Sequence, residues 1–185
     1  MGKAAAFRIG HAVLLGLLGA AILHILILLL LPEISSRSAW SRMAEAADLY
    51  QPLPLRNNLP GTARDGNRDP LFRSVACRFD LTDGLLRVQA AGAVPYWSAS
   101  VYDRAGKNLY SFNDRSARDK ALDIVVLTPA QMLEVRKEVP EELGQSVFVE
   151  SSEEEGVTVI RAFIPDESWG PSVDAFLDSL RCQPQ

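Results

Sequence analysis

Histidine is nearly missing from this chain: His11 and His24 are the two copies, and both fall in one apolar run near the N-terminus. Beyond that run there is no imidazole, which excludes Ser-His-Asp and Cys-His catalytic arrangements and the histidine-bearing zinc sites. Cysteine is as scarce, with Cys77 and Cys182 alone. Two thiols cannot form an all-thiolate metal site, and no C-x-x-C pair offers dithiol chemistry. None of Lys107, Lys120 and Lys137 follows a serine at Ser-x-x-Lys spacing, and the glycines stand singly instead of forming a phosphate-cradling loop. No cofactor is implied by any motif. Positive charge is also short: 19 Lys and Arg face 23 Asp and Glu, for a net charge of −4. Such a surface repels phosphate backbones, so nucleic acid is not an expected partner. Arg104, Lys107, Arg115, Arg118 and Lys120 are the one local basic grouping, and they read as a solvated loop face.

What the chain does have is Ile9 to Leu31, an apolar run without a charge. At about 1.5 Å per residue a helix of this length crosses a hydrocarbon core of roughly 30 Å. It is too long for the core of a cleaved secretory signal, although Ala44-Glu45-Ala46 has the small-x-small pattern. Lys3 and Arg8 precede the run and Glu33 is the first charge after it, so residues 1–8 are expected in the cytoplasm. The expected plan is a span at 9–31, a juxtamembrane helix and connector at 32–70, and an external domain at 71–185. Within the span, Ala12, Gly16, Ala20 and His24 recur every four residues along one stripe, a helix-packing face. Small residues at this spacing also arise by chance.

From Ser35 to Tyr50, Trp40, Met43, Ala47 and Tyr50 repeat at helical spacing, which predicts a short amphipathic helix after Pro32. Trp40 has two readings, an anchor at the headgroup level and a residue packed on the domain. Gln51 to Pro70 is rich in Pro, Asn and Gly and is expected to hold little regular structure. Strands are predicted at 75–81, 85–91, 95–103, 108–112, 121–127, 145–150 and 157–164. The Asp83-Gly84 pair predicts a hairpin between the first two, and the apolar 121–127 segment a central strand. Thr128, Pro129 and Gln131 open one helix with a capping box. Pro171 opens a second, with Val173, Phe176, Leu177 and Leu180 on one apolar face and Asp174 and Asp178 turned away. The fold class is mainly β with two short helices. Cys77 and Cys182 lie in the external part, where a disulfide persists and would tie the first core strand to the last helix, and a pair of free buried thiols is the alternative.

Carboxylates remain as a source of chemistry, and Asp103, Asp114 and Glu150 sit at predicted strand or loop ends where an acid pair can be assembled. The Glu153 to Glu155 run reads as a solvated loop, since no spaced oxygen-ligand pattern accompanies it. The distinctive stretch is Val94 to Asp103. Strand alternation sends Trp97, Ala99 and Val101 to a core face and Tyr96, Ser98, Ser100 and Tyr102 to the other, where Tyr110 and Phe112 of the next strand are expected to join them. Rings with hydroxyls between them suit a sugar or a protein partner. The alternative is a face covered by another element.

The run Tyr96-Trp97-Ser98-Ala99-Ser100-Val101-Tyr102-Asp103-Arg104-Ala105-Gly106, followed by Leu109 to Asp114, resembles the aromatic-Trp-Ser-x-x-x-Tyr-Asp hairpin of a bacterial family catalogued as domains of unknown function 1254 and 1214. The likeness extends from Asp69-Pro70-Leu71-Phe72 to the end of the chain. The resemblance implies a jelly-roll-like antiparallel β-sandwich and an inner-membrane protein often encoded beside a similar partner. It implies no agreed activity. Larger members carry two such domains, whereas this chain has length for one, so a site between domains needs a second chain.

Three functions follow as expectations. The first is a single-span accessory or assembly protein of the cell envelope, with its domain on the periplasmic side, that contacts another membrane protein or a related chain through the two surfaces named. The second is a binding module for an envelope saccharide or lipid, favoured if Tyr96 and Tyr102 are exposed beside a concavity. The third is a hydrolase using a carboxylate pair.

Overall fold

The computed structural model describes residues 2–55, 69 and 71–185, with the backbone alone for 3–6 and 32–39. It contains two compact units, residues 1–38 and 39–185. The first unit is helical. Helix α1 (Lys3–Ala46) carries the stretch Phe7–Leu31, of 25 residues and mean hydropathy 2.9, which is long and apolar enough to cross a membrane. The sequence predicts a break at Pro32, but the helix is continuous through it. A proline inside a helix deletes one backbone hydrogen bond and crowds the preceding turn, which bends a helix as readily as it ends one.

The second unit is a two-sheet sandwich. One sheet has the order β1-β2-β8-β4-β5, formed by Leu53–Pro54, Phe72–Asp80, Glu155–Phe163, Trp97–Asp103 and Asn108–Asn113. The other has the order β7-β6-β3-β9, formed by Val147–Glu150, Leu122–Leu127, Leu86–Ala90 and Arg181–Pro184. Among the described residues all pairings are antiparallel except β6 with β7. The mainly β sandwich that the resemblance implies is present, with one parallel pair at the edge of its second sheet.

Alternation explains the core. Val75, Cys77 and Phe79 of β2, Ala99 and Val101 of β4, and Ile160 and Ala162 of β8 face Leu86, Val88, Leu122, Ile124 and Val126 of the other sheet, and all are buried. Each large side chain taken from water here contributes about 1.5–3 kcal/mol. Strand β6 is apolar on both faces because its far side is covered as well. Val125 and Leu127 pack under Met132 of α2 (Pro129–Lys137) and Leu143. The capping box that starts α2 is present, with Thr128 Oγ1 accepting from Gln131 N and Gln131 Oε1 accepting from Thr128 N. Helix α3 (Gly170–Asp178) buries Val173, Phe176 and Leu177, with Leu180 just beyond its end. Asp174, off the apolar face as expected, lies 2.9 Å from Arg73 Nε of β2.

Two expectations are corrected by the topology. Strands β2 and β3 do not form a hairpin, since they belong to different sheets. The Asp83-Gly84 turn is present, but it carries the chain across the sandwich, because the apolar faces of β2 and β3 oppose each other through the core instead of lying side by side. Gly84 has φ +136°, and a Cβ there would stand 2.4 Å from the carbonyl oxygen of Gln185. Cys77 is bonded to Cys182, which lies in the last strand, β9, and not in the last helix. The bridge thus ties one sheet to the other across 105 residues of chain.

Of the 51–70 connector, Leu53 and Pro54 pair with Ala76 and Val75 as β1. Asn57, Asn58, Pro60, Gly61, Gly66 and Pro70, expected to hold little regular structure, lie outside the described residues.

Candidate interaction surface

Strands β4 and β5 form the hairpin that the sequence singles out, joined by the turn Arg104–Lys107. Asp103 builds this turn: its N–H donates to the Lys107 carbonyl at 3.0 Å and its carboxylate accepts from Lys107 N at 2.8 Å. At the other end, Trp97 Nε1 donates to the Lys120 carbonyl at 2.8 Å, satisfying the one polar atom of a buried ring. The Phe112 ring meets Trp97 edge-on at 6.0 Å between centroids.

Register divides the predicted surface residues between two faces. Ser98 stands opposite Asn113, Ser100 opposite Ser111 and Tyr102 opposite Asn108, all pointing away from the sandwich core. Ala99 stands opposite Phe112 and Val101 opposite Tyr110, and directly opposed residues in an antiparallel pair share a face. Phe112 is therefore a core residue, and Tyr110 lies on the core side at the sheet edge, with half of its surface exposed. They do not join Tyr96, Ser98, Ser100 and Tyr102. The sequence misled because a register shift between Val101 and Tyr102 leaves Leu109 without a partner, a bulge that reverses the alternation partway along β5.

The outward face carries hydroxyls and amides. Ser111 Oγ donates to Ser100 Oγ at 2.9 Å, and Asn108 Nδ2 donates to Ser111 Oγ at 2.8 Å. Beyond Ser98 and Ser100, strand β8 adds exposed Arg161 and half-buried Val159. Toward Asp103 the face is partly covered by residues 40–50. The Arg78 guanidinium lies 4.8 Å and that of Arg104 5.5 Å from the Trp40 ring centre. Arg78 also donates to the Ala47 carbonyl, and Arg104 pairs with Glu155. Trp40 thus packs on the domain, the second of its two readings. Tyr96 and Tyr102 are both half-buried.

The three carboxylates do not converge. Asp103 and Asp114 lie at opposite ends of the hairpin, about 20 Å apart at 3.3 Å per residue, against the roughly 5–9.5 Å of a glycosidase pair. Glu150 is exposed at the end of β7 in the other sheet. Asp114 is the buried one. Its Oδ1 has no hydrogen-bond partner among the described residues, and Lys120 Nζ lies 4.0 Å from Oδ2. The loop that holds it places Asp119 and Lys120 in left-handed conformation, at φ 52° and 57°.

Sequence reasoning missed one polar network. Arg87 of β3 makes a two-pronged pair with Asp123 of β6 at 2.9 and 3.1 Å, Gln89 Nε2 joins the same carboxylate, and Arg87 reaches the Glu142 carbonyl. The Asp123 carboxylate raises the Arg87 pKa. The signal lay in two polar side chains two residues apart on β3, facing an acid in a neighbouring strand. In α1, Ala12, Gly16, Ala20 and His24 are all exposed.

Among the described residues, no group of three or more His, Cys, Asp and Glu side chains is placed to hold a metal. No functionally curated protein matches the chain. Among solved structures, the VPA0106 protein from Vibrio parahaemolyticus is similar over 63% of this chain and 28% of its own, at 12% identity and a TM-score of 0.48. A putative uncharacterized protein from Burkholderia cenocepacia is similar over 72% of this chain and 36% of its own, at 19% identity and a TM-score of 0.45. The chain therefore spans about a third or less of the length of either structure. The model of a protein family of unknown function, DUF1254, matches residues 65–184, and the chain belongs to that family.

Proposed function

We propose that this chain is a membrane-anchored accessory or assembly protein of the bacterial cell envelope, acting through protein contacts and not through turnover. The observation that carries this reading is the β4–β5 hairpin. It presents an uncharged, hydrogen-bonding outer face of Ser98, Ser100, Ser111, Asn108 and Asn113, and a half-exposed ring, Tyr110, at its edge. Flat area with polar tips is the composition of a contact surface, whereas a reaction needs groups converging on one point. Location supports the same reading. The apolar stretch of α1 is retained as the anchor, Lys3 and Arg8 hold the N-terminus in the cytoplasm, and the Cys77–Cys182 bridge belongs to an oxidising compartment such as the periplasm. The stripe of Ala12, Gly16, Ala20 and His24 gives the anchor its own packing face for another membrane helix.

The test is a crosslinking pull-down of the full chain from native membranes, with Gly16→Leu and Ser111→Lys variants alongside. Each variant is expected to lose a subset of the neighbours that the parent recovers. Identical neighbours for the parent and both variants would reject both surfaces.

A further inference from the structure

At the end of the first sheet away from Asp103, register sets outward side chains in two adjoining rows. In the first row, Phe72 of β2 stands opposite Phe163 of β8, and Phe163 N donates at 3.0 Å to the carbonyl of Tyr96, just before β4. In the second, Ser74, Arg161 and Ser98 stand side by side on β2, β8 and β4, with Asn113 of β5 beyond them. The rows are two residues apart along each strand, about 6.6 Å, and neighbouring strands are about 4.8 Å apart. Phe72, Phe163 and Tyr96 are half-buried, yet none belongs to either core cluster. The two phenylalanine rings rest on each other, with 5.3 Å between centroids. Apolar rings thus lie in an outward sheet face beside a row of hydroxyls. Arg161 gives that face its sign. It is exposed on the middle strand of the five, its neighbours are Ser74, Ser98, Val159 and Phe163, and it pairs with no acid among the described residues. The other arginines on strands of this sheet are engaged, Arg73 with Asp174 and Arg78 over Trp40. Acids outnumber bases 23 to 19 in this chain, so a mid-sheet guanidinium without a carboxylate is a charge left for a ligand to meet.

We infer that these two rows bind an acidic saccharide. A sugar ring has an apolar C–H face and a hydroxylated edge, and the rings of Phe72, Phe163 and Tyr96 offer flat apolar area to the first. The Arg161 guanidinium takes the carboxylate through two parallel N–H donors, and the Ser74 and Ser98 hydroxyls on either side meet the hydroxyls of the same ring. One cation among neutral hydroxyl and amide groups matches a ligand with few acids and many hydroxyls. A nucleic-acid strand carries a phosphate at every residue and needs a series of cations to track it. An acidic peptide satisfies Arg161 but leaves the rings without a flat partner. The site shares Ser98 with the hairpin surface and does not depend on a protein partner there.

The experiment is equilibrium binding to the full-length protein in detergent, with an oligogalacturonate, its carboxyl-reduced neutral counterpart and an oligoglutamate as probes. The parent is expected to bind the oligogalacturonate about ten-fold more tightly than the neutral oligosaccharide, the worth of one charge-assisted hydrogen-bonded pair. In Arg161→Gln that preference should vanish, and in Arg161→Lys part of it should return. Phe163→Leu keeps apolar bulk and removes the ring, so it should weaken both saccharides about three-fold and leave their ratio unchanged. Arg161 is exposed, and its two variants decide the matter even if Phe163→Leu melts early. Absence of binding, equal affinity of the parent for the two saccharides, or a preference that survives Arg161→Gln overturns the site. Oligoglutamate bound as tightly as oligogalacturonate overturns the saccharide as its ligand.

Discussion

Tyr50 is held in a left-handed conformation, at φ 62°, that a tyrosine adopts only when its surroundings insist. Its N–H donates to the Arg78 carbonyl at 2.9 Å. Its hydroxyl sits among the Asp80 carbonyl, the Asp80 N–H and the Asp83 carboxylate, so one side chain fastens the turn that crosses from sheet to sheet. Loss of solvent, and then the Asp83 carboxylate, push the phenol up to about 12 from 10.0. The folded protein therefore keeps this proton where the unfolded chain has released it. The resulting stability is whole below pH 10 and is lost as pH climbs toward 12. Tyr50→Phe is expected to cost about 0.5–1.5 kcal/mol at neutral pH, for the hydrogen bonds removed. The gap between parent and variant should shrink from pH 10 to 12, which paired chemical-denaturation series across that range will measure.

Among the elements, packing is tight where β8 passes between β2 and β4. A Cβ on Gly156 would stand 2.4 Å from Phe79 Cζ and 2.5 Å from the Tyr102 carbonyl oxygen. The ring of Phe79 occupies the space that a side chain would take. Gly156→Ala is expected to destabilise by about 1–3 kcal/mol through overpacking. Phe79→Leu in the same chain should recover only part of that loss, because the Tyr102 carbonyl belongs to a strand backbone that cannot withdraw. A double-mutant cycle from thermal melts checks both statements. The elements themselves were legible from local pattern: the capping box of α2, the apolar stripe of α3 and the alternation of β4 each follow from neighbours in sequence. What local pattern does not hold is which strand lies beside which. Asp83-Gly84 specifies a turn, and the pairing beyond it is settled by distant residues, as β2 with β8 and β3 with β6 show. The candidate surface was half legible for the same reason. Ser98, Ser100 and Tyr102 share a face as alternation requires, while the bulge that turns Tyr110 and Phe112 to the other side lies in the cross-strand register. Strand β9 went unread because Arg181-Cys182-Gln183-Pro184 is too short and polar to announce itself.

At the scale of the molecule, the sandwich depends on contacts between residues far apart in the chain. β2 is completed by β8 and β3 by β9, so one sheet waits for residues 155–163 and the other for the last strand. A bridge from Cys77 in an interior strand of one sheet to Cys182 in the edge strand of the other holds that late arrival in place. Chain entropy then favours the closed form by about 4–5 kcal/mol for a loop of this size. That is a large share of the roughly 5–15 kcal/mol by which a domain is stable. The Cys77→Ala, Cys182→Ala double variant is expected to lose most of that difference, and the parent treated with reductant should fall to the level of the variant. Melting both in detergent with and without reductant gives the measure. A parent whose melting point ignores reductant would mean that hydrophobic contacts alone keep the two sheets together. In that case the bridge contributes nothing to the fold.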